Sequence, residues 1–75
     1  MGLRRRFVIF ALPEQHGGRN FYISKSGGIT DIPPAVAKFS SFAEAQAFAA
    51  SHNIELTAAR YIGQADFMEW DCREL

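Results

Sequence analysis

The sequence predicts an α+β fold: a three- to four-stranded, mainly antiparallel sheet in the order ββ(β)αβ, with one helix packed on one face. Three observations carry this. A capped, alanine-rich segment over residues 41–53 has helix signals at both ends. An apolar run over residues 5–12 is rich in β-branched and aromatic side chains and stops at Pro13. Turns containing glycine pairs then separate short alternating segments. A chain of 75 residues makes one domain, residues 1–75. Such a chain buries only about 60% of its unfolded surface, so its stability margin is thin.

The first strand, residues 5–12, is apolar on both sides: Phe7, Ile9 and Ala11 on one, Val8, Phe10 and Leu12 on the other. A strand of a one-sided sheet alternates apolar with polar. One helix covers one face. The second face therefore needs cover from the C-terminal segment, a second copy or a binding partner. Residues 14–20 read as a polar loop. Residues 20–26 read as a second strand, with Phe21 and Ile23 on one face and Tyr22 and Ser24 on the other. Gly27-Gly28 supplies the positive φ of a tight turn. Residues 29–32 form a short third strand, and Pro33-Pro34 bars the chain beyond it from a sheet interior. Residues 35–37 are expected to make one helical turn.

Ser41-Phe42-Ala43-Glu44 has the S-x-x-E form of a capping box. Ser41 should accept from the Glu44 amide, and Glu44 should reach back to the Ser41 amide. The carboxylate also lies at the positive end of the helix dipole. Strong helix formers continue from there without Gly or Pro. Asn53 suits the left-handed stop of a helix, with Ile54 packing back on Ala49. Helical spacing puts Phe42, Ala45, Ala49 and His52 on one face, with Phe48 on its flank. The opposite side carries Ala43, Ala47 and Ala50, and Glu44 is the helix's one charge. Alanine suits a solvated surface; it also leaves a smooth side for a second chain.

The run Phe39-Ser40-Ser41, Glu44-Ala45, Phe48-Ala49 resembles a strand-to-helix junction of many small uncharacterised bacterial and bacteriophage proteins. The match covers about a sixth of the chain and consists of cap and core positions. It implies a hairpin feeding one helix and a returning strand. It makes a small phage-type regulator or inhibitor of a host protein an expectation and implies no activity. Beyond Ile54, residues 57–62 read as a strand that Gly63-Gln64 ends. Residues 66–70 form either a further strand or a helical turn. In both cases Phe67, Met68 and Trp70 supply apolar cover for the second sheet face.

The chemistry-bearing residues are sparse. His16, His52 and Cys72 lie far apart in sequence, without the close ligand pairs of a metal site. Ser24, Ser26, Ser40, Ser41 and Ser51 read as turn, strand or cap residues rather than activated nucleophiles, Cys72 could meet a histidine only through the tertiary fold, and neither glycine pair precedes a helix start as a phosphate cradle would. No catalysis, cofactor or metal is expected. Cys72 is the sole cysteine, which excludes an internal disulfide and suits a reducing compartment. The six-residue apolar run after Arg4-Arg5-Arg6 is too short for a signal core or a membrane span. A cytoplasmic protein without membrane contact is expected.

Net charge is zero, but residues 1–38 carry a net of +4 and residues 39–75 a net of −4. If the two ends pair as neighbouring strands, the asymmetry is internal complementarity. Of all residues 48% are hydrophobic, seven of them Phe, a large apolar load for one small core. The expected function is a non-catalytic protein interaction module, a homodimer or the binder of another protein. Its contact residues would be Val8, Phe10, Leu12, Tyr22, Ala43, Ala47, Ala50, Phe67 and Trp70. The alternative is single-stranded nucleic-acid binding through Arg4, Arg5, Arg6, Arg19 and Lys25, with bases stacked on Phe21 and Tyr22. The zero net charge speaks against it.

Overall fold

The computed structural model describes residues 2–11 and 20–72. Its strands are β1 (Leu3–Ala11), β2 (Phe21–Ile23), β3 (Ile29–Thr30) and β4 (Arg60–Met68), with one helix, α1 (Phe42–Ser51). Two 3-10 turns, Pro33–Ala35 and Glu69–Cys72, complete the elements. The sheet has the order β3-β2-β1-β4, and every pairing is antiparallel. This is the α+β class that the sequence predicts. Leu12, the polar loop with His16, and Arg19 lie outside the described residues.

β1 is central because its side chains are apolar on both faces. It pairs with β4 over nine positions, from Leu3 opposite Met68 to Ala11 opposite Arg60. On its other side, among the described residues, it pairs with β2 at Phe10–Tyr22 and Ala11–Phe21. Where β2 leaves it, residues 36–39 fill the gap. The Phe7 amide and carbonyl both bond to Phe39, at 2.9 Å each, and the Ala37 amide donates to the Ile23 carbonyl at 3.1 Å.

The two faces of β1 build two cores. Ile9, Ala11, Ile23 and Ala49 are buried together, with Phe21, Phe39, Phe48, Ile54 and Ile62 packed against them. Val8, Val36 and Phe67 form the other cluster, joined by Phe10, Tyr22, Ala65 and Cys72. The second face is thus covered within one copy of the chain. The C-terminal segment does this as one of the three expected covers, together with Val36 from the β3–α1 connection.

The helix starts where its cap places it. Ser41 is extended, at φ −145° and ψ 160°, and its side chain accepts from the Glu44 amide at 3.1 Å. The Glu44 carboxylate reaches one residue further back than expected. Its Oε1 accepts from the Ser40 amide at 3.2 Å and the Ser40 hydroxyl at 3.0 Å. Ser40 offers two donors where Ser41 would offer one. Asn53 is left-handed at φ 57°, and the Ile54 amide donates to the Ala49 carbonyl at 2.9 Å. With Asn53 donating to Ala50, this is a Schellman ending with its Ile54–Ala49 apolar contact. Ser41→Ala should cost about 1 kcal/mol. An unchanged urea midpoint would contradict the cap.

The helix buries a narrower stripe than expected. Ala45 and Ala49 are buried, whereas Phe42 is 48% exposed and His52 is exposed. Both lie at helix ends. Phe42 meets Phe7 edge-on at 6.4 Å, and His52 stacks on Phe48 at 4.0 Å.

β4 departs most from the sequence expectation. It is one nine-residue strand running through Gly63-Gln64, not two pieces. A Cβ on Gly63 would lie 2.7 Å from Cε2 of Phe10. The Phe10 ring covers Gly63 from the neighbouring strand, a contact that compensates a glycine in a sheet. The open choice for residues 66–70 divides: Asp66–Met68 completes β4, and Trp70 lies in the second 3-10 turn. The first 3-10 turn is Pro33–Ala35 rather than residues 35–37. At the β2–β3 turn Gly27 takes φ +94°, as the glycine pair implies.

Candidate interaction surface

The expected contact residues do not form one surface. Val8 is fully buried and Phe67 is 6% exposed, so neither is available to a partner. The cause is Val36, whose role the sequence does not signal because it acts through a strand-like bridge to Ser24. Phe10 and Tyr22 are half-buried, their rings tilted at 38° with centroids 5.3 Å apart. Tyr22 also meets Phe67 edge-on at 5.9 Å. Leu12 lies outside the described residues. Ala43, Ala47 and Ala50 are exposed, but on the helix side of the sheet. Trp70 is 52% exposed at the end of β4.

Residues not singled out from the sequence carry most of the exposed apolar surface. Leu3 is 61% exposed, Ile32 59%, Ile29 50% and Tyr61 41%. The β1–β4 register sets Leu3 beside Met68, two residues before Trp70. Tyr61 stacks on Phe10 at 5.2 Å, extending an aromatic row from β2 across β1 to the outer strand. Strand alternation could have placed Tyr61 there, had residues 60–68 been read as one strand.

Charge asymmetry between the chain's ends is spent internally. Arg5 faces Asp66 with Nε 3.1 Å from Oδ1 and Nη2 3.3 Å from Oδ2. Arg4 lies 3.5 Å from Glu69. Both pairs are solvent-exposed and worth at most about 1 kcal/mol. Arg6 donates to the Arg5 carbonyl at 3.1 Å. Alternation turns Arg5 to the helix side and Arg4 and Arg6 to the other, so the three make no stripe. Phe21 packs on the helix-side core and Tyr22 on the opposite face. The residues of the nucleic-acid alternative therefore diverge. Lys25 is exposed at the β2–β3 turn, and Arg19 lies outside the described residues.

Among the described residues no three His, Cys, Asp or Glu side chains converge as a metal site would require. Cys72 sits in the second-face cluster, whereas His52 stands on the helix side, its Nδ1 3.1 Å from the Phe48 carbonyl. A groove of about 440 Å³ opens between the β2–β3 turn, the helix C-terminus and the start of β4, with Glu55 and Arg60 on its wall. No described helix is long and apolar enough to cross a membrane.

Lys38 is the described side chain with a displaced pKa. Its Nζ lies 4.9 Å above the Phe67 ring and donates to the carbonyls of Pro33 at 2.5 Å and Val36 at 3.2 Å. Desolvation lowers its pKa below the usual lysine range, helped by Lys25 and opposed by Cys72 and Asp71. Between the lowered value and the ordinary one the unfolded chain binds more protons, so stability rises with pH in that window. On titration from neutral toward about pH 10, the wild-type urea midpoint should therefore gain on that of Lys38→Met. A constant difference would show that burial does not penalise the charge.

β4 forms an edge of the sheet, and its outward backbone groups can be assigned. Phe7 gives both its amide and its carbonyl to Phe39, so the Phe7–Gln64 pair is not hydrogen-bonded. Alternation then points the amides and carbonyls of Ile62, Gln64 and Asp66 away from β1. At the strand's start Arg60 closes on Thr57, with bonds of 2.8 and 3.2 Å. No family model, no curated protein and no solved structure matches this chain, so no family is assigned.

Proposed function

We propose that this chain is a small non-catalytic protein interaction module that associates with a second copy of itself. One observation carries the reading. Both sheet faces have core cover, yet seven large apolar residues among those described keep 39–61% of their surface exposed. Exposed apolar surface beyond scattered single residues marks contact sites. Three of the seven, Leu3, Tyr61 and Trp70, lie on or beside β4. Self-association in the cytoplasm suits the lone Cys72. The resemblance of residues 39–49 to small phage proteins is what supports a role as regulator or inhibitor of a host protein.

Sedimentation over a concentration series from micromolar to millimolar tests this. The apparent mass should rise toward twice that of the chain. A mass fixed at one chain over the whole range would overturn self-association.

A further inference from the structure

Resting on that reading, we propose that the second copy docks along the open edge of β4, antiparallel, with the two-fold axis at Gln64. An unpaired strand edge is a template for another strand, and proteins usually guard it with shortness, proline, lysine or a bulge. Among the described residues one edge is guarded and the other is left open. β3 is two residues long and is succeeded by Pro33-Pro34. β4 is nine residues long, contains no proline or lysine, and keeps an unbroken register with β1.

The free groups identify the occupant. Ile62, Gln64 and Asp66 offer outward amides and carbonyls, and the Thr57–Arg60 closure ends that row. Two identical antiparallel strands satisfy these three positions together when Gln64 faces Gln64 of the second copy, and Met68, outward by the same alternation, then stands opposite the closed Arg60. Ile62 then faces Asp66, and about six backbone hydrogen bonds form. The same reversal brings Arg60 of one copy diagonally beside Asp66 of the other, within reach of a long side chain. Parallel pairing in register would instead set like charges together. On the other face Tyr61 takes the position opposite the buried Phe67 of the second copy, and the small Gly63 the position opposite Ala65. The product is a continuous eight-stranded sheet.

The test combines backbone blocking with cross-linking. Gln64→Pro removes an outward amide that the β1 ladder does not use, and Gln64→Lys places two cations face to face. Each should weaken self-association in sedimentation by about tenfold or more, with cooperative melting retained. If the proline variant fails to fold, the lysine variant decides, since Gln64 is exposed. In a Cys72→Ser background, Gln64→Cys should form an intermolecular disulfide on oxidation. The facing Cα atoms of such a pair stand about 5.5 Å apart, inside disulfide range. Ala43→Cys in the same background should cross-link much more slowly. If the wild type associates but both Gln64 variants match it within about twofold, or position 43 cross-links faster, the contact lies elsewhere and the edge pairing is wrong while self-association stands. A wild type that stays a single chain throughout overturns both.

Discussion

Val8→Asp is expected to leave no cooperatively folded protein at room temperature. Val8 has no exposed surface and packs on Val36 and Phe67, which are themselves buried. A carboxylate there loses its hydration without gaining a partner. Lys38 lies above Phe67, but its donors are already directed at the Pro33 and Val36 carbonyls. Burying an unpaired charge costs several kcal/mol at least, about the whole stability of a small domain. Circular dichroism on heating should show no sigmoidal transition. The control is Lys25→Asp, exposed at the β2–β3 turn, which should change stability by no more than about 0.5 kcal/mol. The pair of variants separates two views of the second sheet face. If Val8 lay on an open contact surface, Val8→Asp would melt normally and merely weaken association. A normal melt would therefore refute the two-sided core.

Gly63→Val is expected to destabilise by about 2 kcal/mol, although valine is intrinsically the better strand residue. The sign is set by Phe10. A Cβ at position 63 would come 2.7 Å from Cε2 and 3.1 Å from Cδ2 of that ring. A ring with free space would swing aside at little cost. Here Tyr61 stacks on Phe10 at 5.2 Å and Tyr22 lies tilted against it at 5.3 Å, so displacement breaks both contacts. Gly63→Val combined with Phe10→Leu should recover part of the loss, giving a coupling of about 1 kcal/mol in a double-mutant cycle. Stability at or above wild type for Gly63→Val would mean that the ring relaxes freely.

These two positions show where local reasoning stops. The helix is legible because its signals are contained in the segment itself: Ser41 meets Glu44 three residues on, and Asn53 stops the chain it ends. The side-chain phase of β1 is equally legible, because alternation needs no partner: Ile9 and Ala11 share one core, Val8 and Phe10 the other. The break expected at Gly63-Gln64 rests on glycine's weak strand preference, an effect of at most about 1 kcal/mol. Nine paired positions with β1 outweigh it, and that ladder joins residues some sixty positions apart.

The candidate surface is split in the same way. Trp70 and the helix alanines are exposed, although Trp70 also reads from the sequence as cover for the second sheet face. Val8 and Phe67 are not, because Val36 returns through an irregular connection and seals them. No periodicity in residues 31–39 announces that return. The open edge is likewise invisible from the chain alone, since a strand becomes an edge only through the order of its neighbours.

The sequence by itself determined the α+β class, the helix with both its ends, and which side of β1 each residue takes. Those depend on contacts within a few positions or on the strand's own two-residue repeat. The tertiary structure alone decided that both sheet faces close within one copy, that β4 runs unbroken, and that it stands outermost with free hydrogen-bonding groups. Each of those depends on which distant segment lies alongside, and that is settled by packing across the whole chain.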